Sequence, residues 1–185
     1  MGKPRTLNVI LPLLIVAADQ LTKAIVRATL PLHESITVIP EFMDFTHVRN
    51  TGAAFGFLDG VDFPFKTVVI ALIATAALVG VGMYAASLSH HQLAARAGLS
   101  LIIGGAAGNL IDRLTAGSVV DFVDVYWRTW HFWAFNVADS AITVGVAIMI
   151  LDMITPDATP ALPRAVSGDV RAVPTPELDD GRAGD

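Results

Sequence analysis

Asp121 and Asp139 are acids in a chain that is otherwise strongly apolar. Each has polar company: Asn109, Asp112 and Arg113 precede the first, and Asn136 precedes the second. A carboxylate is costly inside a bilayer, so an ionisable residue beside a membrane-spanning segment points to function. Two carboxylates that share one proton can act as base and acid on the same bond. That is the minimum equipment for aspartic-type hydrolysis of a peptide. Asp124, three residues after Asp121, has similar qualifications, and spacing alone leaves the choice between them open.

The elements that must carry these residues follow from composition. The chain has 185 residues, 54% of them hydrophobic and only 16% charged. Its mean hydropathy is +0.60. Soluble domains carry about 25% charged residues, so the deficit indicates a membrane protein. The net charge of −5 excludes a generally basic nucleic-acid binder. There is no cysteine, which removes disulfides, thiolate catalysis, Cys-ligated metals and lipidation on cysteine. The histidines (His33, His47, His90, His91 and His131) have no metal-ligand spacing, and no His-Glu-x-x-His motif occurs. No metal site, cofactor or phosphate-binding loop is expected.

The expected fold class is an all-α membrane protein with four transmembrane helices and a small extracytoplasmic β-rich loop region. The spans fall at about Leu7–Thr29, Thr67–Leu88, Ala97–Leu114 and Trp130–Met153, each near the roughly 20 residues that cross the hydrocarbon core. Lys3 and Arg5 ahead of an apolar run also suit a cleaved signal peptide, but Asp19, Gln20 and Lys23 continue the helical pattern beyond Val16-Ala17-Ala18. Met1-Gly2 with Thr6 fits a loose myristoylation pattern. Lys3, Arg5 and Arg96 favour both termini in the cytoplasm, and Arg128 opposes that orientation.

Within the outer loop, 31–66, Ser35–Ile39 and Phe42–Val48 are rich in β-branched and aromatic residues and read as a small sheet. Asp59-Gly60 signals a turn. Trp127, Trp130 and Trp133 form an aromatic belt, placing the start of the fourth helix at the headgroups. Residues 1–155 form the expected membrane domain. The segment 156–185, rich in proline and charge, reads as a disordered cytoplasmic tail.

This topology gathers the polar residues at one level near the outer leaflet. Asp19 and Lys23 lie in the outer half of the first helix, four residues apart. Asn109, Asp112 and Arg113 end the third helix, and Asn136 and Asp139 open the fourth. Residues three or four apart share a helix face. Asp139 would lie roughly 13 Å beyond Trp130 along a continuous helix. Gly104 and Gly108 would let a neighbouring helix approach closely. Plainer readings compete: Asp19 and Lys23 form an ordinary ion pair, and Asp112 with Arg113 forms a helix-end pair at the interface.

The motifs then carry a resemblance. They are Asp19-Gln20-Leu21-Thr22-Lys23, Asn50-Thr51-Gly52-Ala53-Ala54-Phe55-Gly56, Gly108-Asn109-Leu110-Ile111-Asp112-Arg113, Val120-Asp121-Phe122 and Phe135-Asn136-Val137-Ala138-Asp139-Ser140. In this order the chain, from about Leu7 to Thr155, resembles the lipoprotein signal peptidases (signal peptidase II), bacterial membrane aspartyl proteases. The resemblance implies Asp121 and Asp139 as the catalytic pair, choosing Asp121 over Asp124. It implies Asp19, Lys23, Asn50, Gly52, Asn109, Arg113 and Asn136 as supporting or substrate-binding residues. The implied partners are membrane lipids and a diacylglyceryl-modified prolipoprotein, cut before its modified cysteine at the inner membrane, with no metal, cofactor or nucleic acid. Two other classes remain in view: a proton-coupled small membrane transporter, and a non-catalytic membrane assembly factor with structural aspartates.

Overall fold

The computed structural model describes residues 3–52, 65–89 and 91–155. The expected turn at Asp59-Gly60 and the expected tail at 156–185 lie outside these residues. The elements run α1 (Lys3–Thr29), β1 (Ser35–Ile39), β2 (Met43–Asn50), α2 (Lys66–Ser87), α3 (Leu93–Ala116), β3 (Val119–Trp127), β4 (Trp130–His131) and α4 (Val137–Ile154). All four helices are long and apolar enough to cross a membrane. Their outward faces carry exposed apolar side chains, such as Leu13 and Leu21 on α1, Leu72 and Met83 on α2, and Leu151 on α4. A soluble monomer seldom exposes so much contiguous apolar surface, whereas lipid covers it at no cost.

Helix α3 is the hub, packed against α1, α2 and α4. Its glycines make this possible. A Cβ at Gly104 would stand 2.9 Å from the Pro12 carbonyl oxygen, and one at Gly98 would stand 2.9 Å from that of Gly145. A Cβ at Gly105 would collide with the Ala138 carbonyl. With no hydrophobic drive between helices in lipid, such close backbone approach supplies the van der Waals contact that holds them.

Helix α3 ends where Gly117, at φ +71°, takes the left-handed conformation and donates its N–H to the Arg113 carbonyl. Glycine adopts that conformation without a steric penalty. The chain then turns into β3, which completes an antiparallel sheet in the order β1-β2-β3-β4. Val119–Trp127 is almost entirely Val, Phe, Tyr, Trp and Asp. Branched and aromatic side chains suit a pleated, half-buried surface.

The fourth span requires a correction. Expected from Trp130, it begins at Val137. Trp130 and His131 instead pair with Trp127 and Tyr126 as the short return strand of a hairpin. The tryptophans do remain exposed, as a headgroup-level belt requires. Asp139 therefore lies in the first turn of α4, not more than two turns inside it.

Candidate active site

Asp121 lies on β3, opposite Val48 of β2. Beyond the hairpin the chain returns alongside β3. The Phe122 and Val123 N–H groups donate to the Phe135 carbonyl at 3.0 and 2.8 Å, and the Phe135 N–H donates back to Val123 at 3.0 Å. This backbone clip delivers the next residue, Asn136, to Asp121. The Asn136 Nδ2 donates to Asp121 Oδ1 at 2.7 Å and to the Val120 carbonyl at 3.3 Å.

Asn136 is also the N-cap of α4. Its Oδ1 accepts the Asp139 N–H at 2.9 Å, and Asp139 Oδ2 accepts the Asn136 N–H at 3.2 Å. This reciprocal capping box satisfies donors that a helix start leaves unpaired. One buried asparagine thus holds both acids. A dyad split between a strand and a helix is made one unit by local capping chemistry.

Two further asparagines complete the shell. Asn50, at the end of β2, accepts the Gly52 N–H at 2.9 Å through Oδ1, so its Nδ2 points away and donates to Asp121 Oδ2 at 3.0 Å. Asn109 on α3 accepts the Lys23 ammonium at 2.9 Å through Oδ1 and donates Nδ2 to Asp139 Oδ1 at 2.8 Å. An ammonium and a backbone N–H can only donate. They therefore fix which way each amide faces, and all three asparagines present N–H groups to the carboxylates. Arg113 donates to the carbonyls of Gly52 at 3.0 Å and Asn109 at 3.3 Å.

Below this shell lies a buried ionic cluster. Lys23, fully buried, bridges Asp19 at 2.8 Å and Asp112 at 2.9 Å. Arg27 pairs with Asp112 at 2.8 Å. Gln20 donates to Asp19, Asp112 and the Gly108 carbonyl. Asp19 Oδ1 accepts the Ala138 N–H at 3.0 Å, another cap on α4, reached from α1. Two acids and two bases balance in charge, which an ionic group out of water requires. Asp112 thus pairs with Lys23 and Arg27 across helices, not with its neighbour Arg113 at a helix end. The Asp19–Lys23 ion pair forms as expected, but it belongs to this network and not to α1 alone.

Asp124 goes elsewhere. It faces Asp44 across the strands and pairs with His131 at 2.9 Å, on the β3–β4 hairpin. Asp121 is the acid that shares Asn136 with Asp139. Asp121 is only 3% exposed. Burial, reinforced by the nearby Asp139 charge and opposed by the Asn50 and Asn136 hydrogen bonds, pushes its carboxyl up to about 7. Such a group is poised to exchange a proton near neutral pH.

The dyad lines a cavity of about 300 Å³. Asn50, Asn109, Arg113, Asp121 and Asp139 form its polar part, and Ile70, Ile73, Ala74 and Ala77 of α2 with Ile142 of α4 form its apolar wall. A few convergent polar groups in an apolar pocket are the ordinary form of a binding site. Among the described residues no group of three or more His, Asp or Glu is arranged to hold a metal ion.

Arg27 and Lys66 are site residues that the sequence motifs do not include, and Gln20 and Thr51 stand in the motifs without an expected role. Arg27 had a signal: it lies four residues after Lys23 and eight after Asp19, on the same helical face. The contact of Lys66 with Thr51 had none, because no helical or strand spacing links residues 15 positions apart.

Four apolar helices with two carboxylates gathered at one end of them make a polytopic membrane protein with a candidate acid pair. Residues 11–155 match the family Peptidase_A8, Signal peptidase (SPase) II. The lipoprotein signal peptidase of Geobacter metallireducens is 51% identical over 138 residues, covering 74% of this chain and 83% of that protein. That of Geobacter sulfurreducens is 48% identical over 136 residues, covering 74% and 84%. Two solved bacterial membrane enzyme structures, obtained by the in meso method, have the same fold. One, at 36% identity, covers 79% of this chain and 86% of its own with a TM-score of 0.66. The other, at 31%, covers 80% and 93% with a TM-score of 0.69. The chain belongs to the signal peptidase II family. It is a multi-pass peptidase of the bacterial inner membrane, acting on prolipoprotein signal peptides.

Proposed function

We propose that the chain is an aspartic endopeptidase in which Asp121 and Asp139 cleave a prolipoprotein immediately before its diacylglyceryl-modified cysteine. The observation that carries this is Asn136, which holds both carboxylates at once on the wall of one cavity. The two acids hold one proton between them, because neighbouring carboxylates resist joint ionisation. The ionised carboxylate takes a proton from a bound water, whose oxygen attacks the scissile carbonyl. The protonated carboxyl hydrogen-bonds the carbonyl oxygen as charge develops there. Collapse of the tetrahedral intermediate breaks the C–N bond, and a dyad proton passes to the departing amine. One water is consumed, and the dyad again holds one proton.

The supporting residues have distinct tasks. Asn50, Asn109 and Asn136 hold the carboxylates with N–H donors. Asp19 and Lys23 secure α4 and Asn109. Arg113 and Gly52 shape the edge that faces the substrate backbone. The diacylglyceryl chains stay among membrane lipids while the peptide enters beside the apolar wall of α2. Both termini face the cytoplasm and the dyad lies near the outer leaflet, with residues 1–155 as the peptidase unit. The transporter alternative is not favoured, since the family is one of peptidases.

Cleavage of a synthetic prolipoprotein, with products identified by mass spectrometry, tests the substrate. The expected product begins with the diacylglyceryl cysteine, and the unmodified peptide is cut at least about tenfold more slowly, as loss of a membrane-anchoring contact would give. Equal rates on both peptides, or a cut elsewhere, would contradict the reading.

A further inference from the structure

Helix α2 supplies the apolar wall of the cavity, yet its packing partner in the bundle is α3. A different contact ties it to the dyad. Lys66 opens α2 and is buried, at 7% exposure, although lysine is almost never so. Its ammonium donates to Thr51 Oγ1 at 3.1 Å. Thr51 stands between Asn50, which donates to Asp121, and Gly52, whose carbonyl takes Arg113. Residues 66, 70, 73, 74 and 77 share one helical face, and Ile70, Ile73, Ala74 and Ala77 all line the cavity. One face of α2 therefore presents apolar side chains toward a substrate and, at its outer end, a cation that grips the turn holding Asp121.

We infer that Lys66 is a positioning residue: it locks the Asn50–Gly52 turn to the cavity wall, so that Asn50 keeps its N–H on Asp121 when a peptide lies against α2. This rests on the proposed role of Asp121. Asn50, Thr51 and Gly52 are consecutive, and the outer two hydrogen-bond to Asp121 and Arg113. Holding the middle residue constrains both contacts at once. A charged donor suits the task because hydrogen bonds to ions are stronger than neutral ones.

The test is steady-state cleavage of the diacylglyceryl peptide by wild type, Lys66→Met, Lys66→Arg, Thr51→Val and the Lys66→Met/Thr51→Val double variant, with rates normalised to folded protein. Lys66→Met and Thr51→Val should each lower kcat about tenfold, the scale of one charged hydrogen bond, with KM changed less than about twofold. Lys66→Arg should recover most of the rate. The double variant should be no slower than the slower single, because both substitutions break one contact. Rates within about twofold of wild type for both singles, or multiplicative losses in the double, would overturn the inference. A Lys66→Met loss that disappears on normalisation would mark a structural role only and overturn it too. If Lys66→Met does not fold, Thr51→Val and Lys66→Arg decide the matter: an unaffected Thr51→Val overturns it. A wild type that leaves the peptide uncut removes the functional reading itself, and this inference with it. A cutting wild type with indifferent Lys66 and Thr51 variants removes only the inference.

Discussion

At the scale of residues, the site is governed by who donates to whom. Asn50, Asn109 and Asn136 each have their oxygen engaged by a group that can only donate, so each turns its N–H toward a carboxylate. Burial holds the Asp121 carboxyl near 7 despite these donors. If the singly protonated dyad is the working form, kcat/KM falls as pH rises through about 7. Asn50→Leu removes a donor that favours the ionised form of Asp121, so it should move that alkaline limb upward while lowering the maximum. A limb that stays fixed or moves down would contradict this assignment. Stability carries the same sign. A carboxyl raised in the fold contributes stability at low pH that is lost as pH climbs from its ordinary range near 4 through about 7. Asp121→Asn should therefore gain melting temperature relative to wild type between pH 5 and pH 8, measured by thermal unfolding in detergent. An unchanged difference across that range would contradict the burial argument.

At the scale of elements, α4 is aimed by its N-terminus. Asn136 and Asp139 cap one another, and Asp19 reaches over from α1 to Ala138. Gly108 leaves room for that reach, since a Cβ there would stand 2.6 Å from Asp19 Oδ2. Gly108→Ala should displace Asp19, cost about 1–3 kcal/mol by overpacking, and slow cleavage in the folded fraction. Unfolding and activity assays check this together, and an unchanged rate would show that Asp19 does not help to aim α4. The motifs around these residues were legible because helical spacing of three and four puts Asp19 with Lys23, and Asn109 with Arg113, on shared faces. The start of α4 was not. A run of tryptophans suggested a headgroup-level helix, while the Asn136-x-x-Asp139 cap lay unread downstream. Strand β3 was likewise missed, although Val119–Trp127 is rich in strand formers. Its long-range partner β2 lies some 70 residues earlier, and no local pattern announces pairing at that range.

At the scale of the molecule, four apolar helices carry a small sheet and place one polar cluster where three helices and a strand meet. The number of spans and the apolar surface were readable from hydropathy. The convergence was only partly so: face and level followed from spacing, but the bond from Asn136 to both acids needed the clip between Phe135 and β3. Among the described residues, the charges of the cluster below the pair are matched acid to base. Asp19, Lys23, Arg27 and Asp112 neutralise one another, and the proposed proton exchange is assigned to Asp121 and Asp139. Whether this pair performs the cleavage is read from the cleavage rate of a diacylglyceryl prolipoprotein by purified wild type, Asp121→Asn and Asp139→Asn in detergent, with helicity monitored alongside. Both variants should fold and lose at least about a thousandfold in rate, as removing an essential acid or base does. Cleavage retained by either folded variant at near the wild-type rate would contradict the assignment.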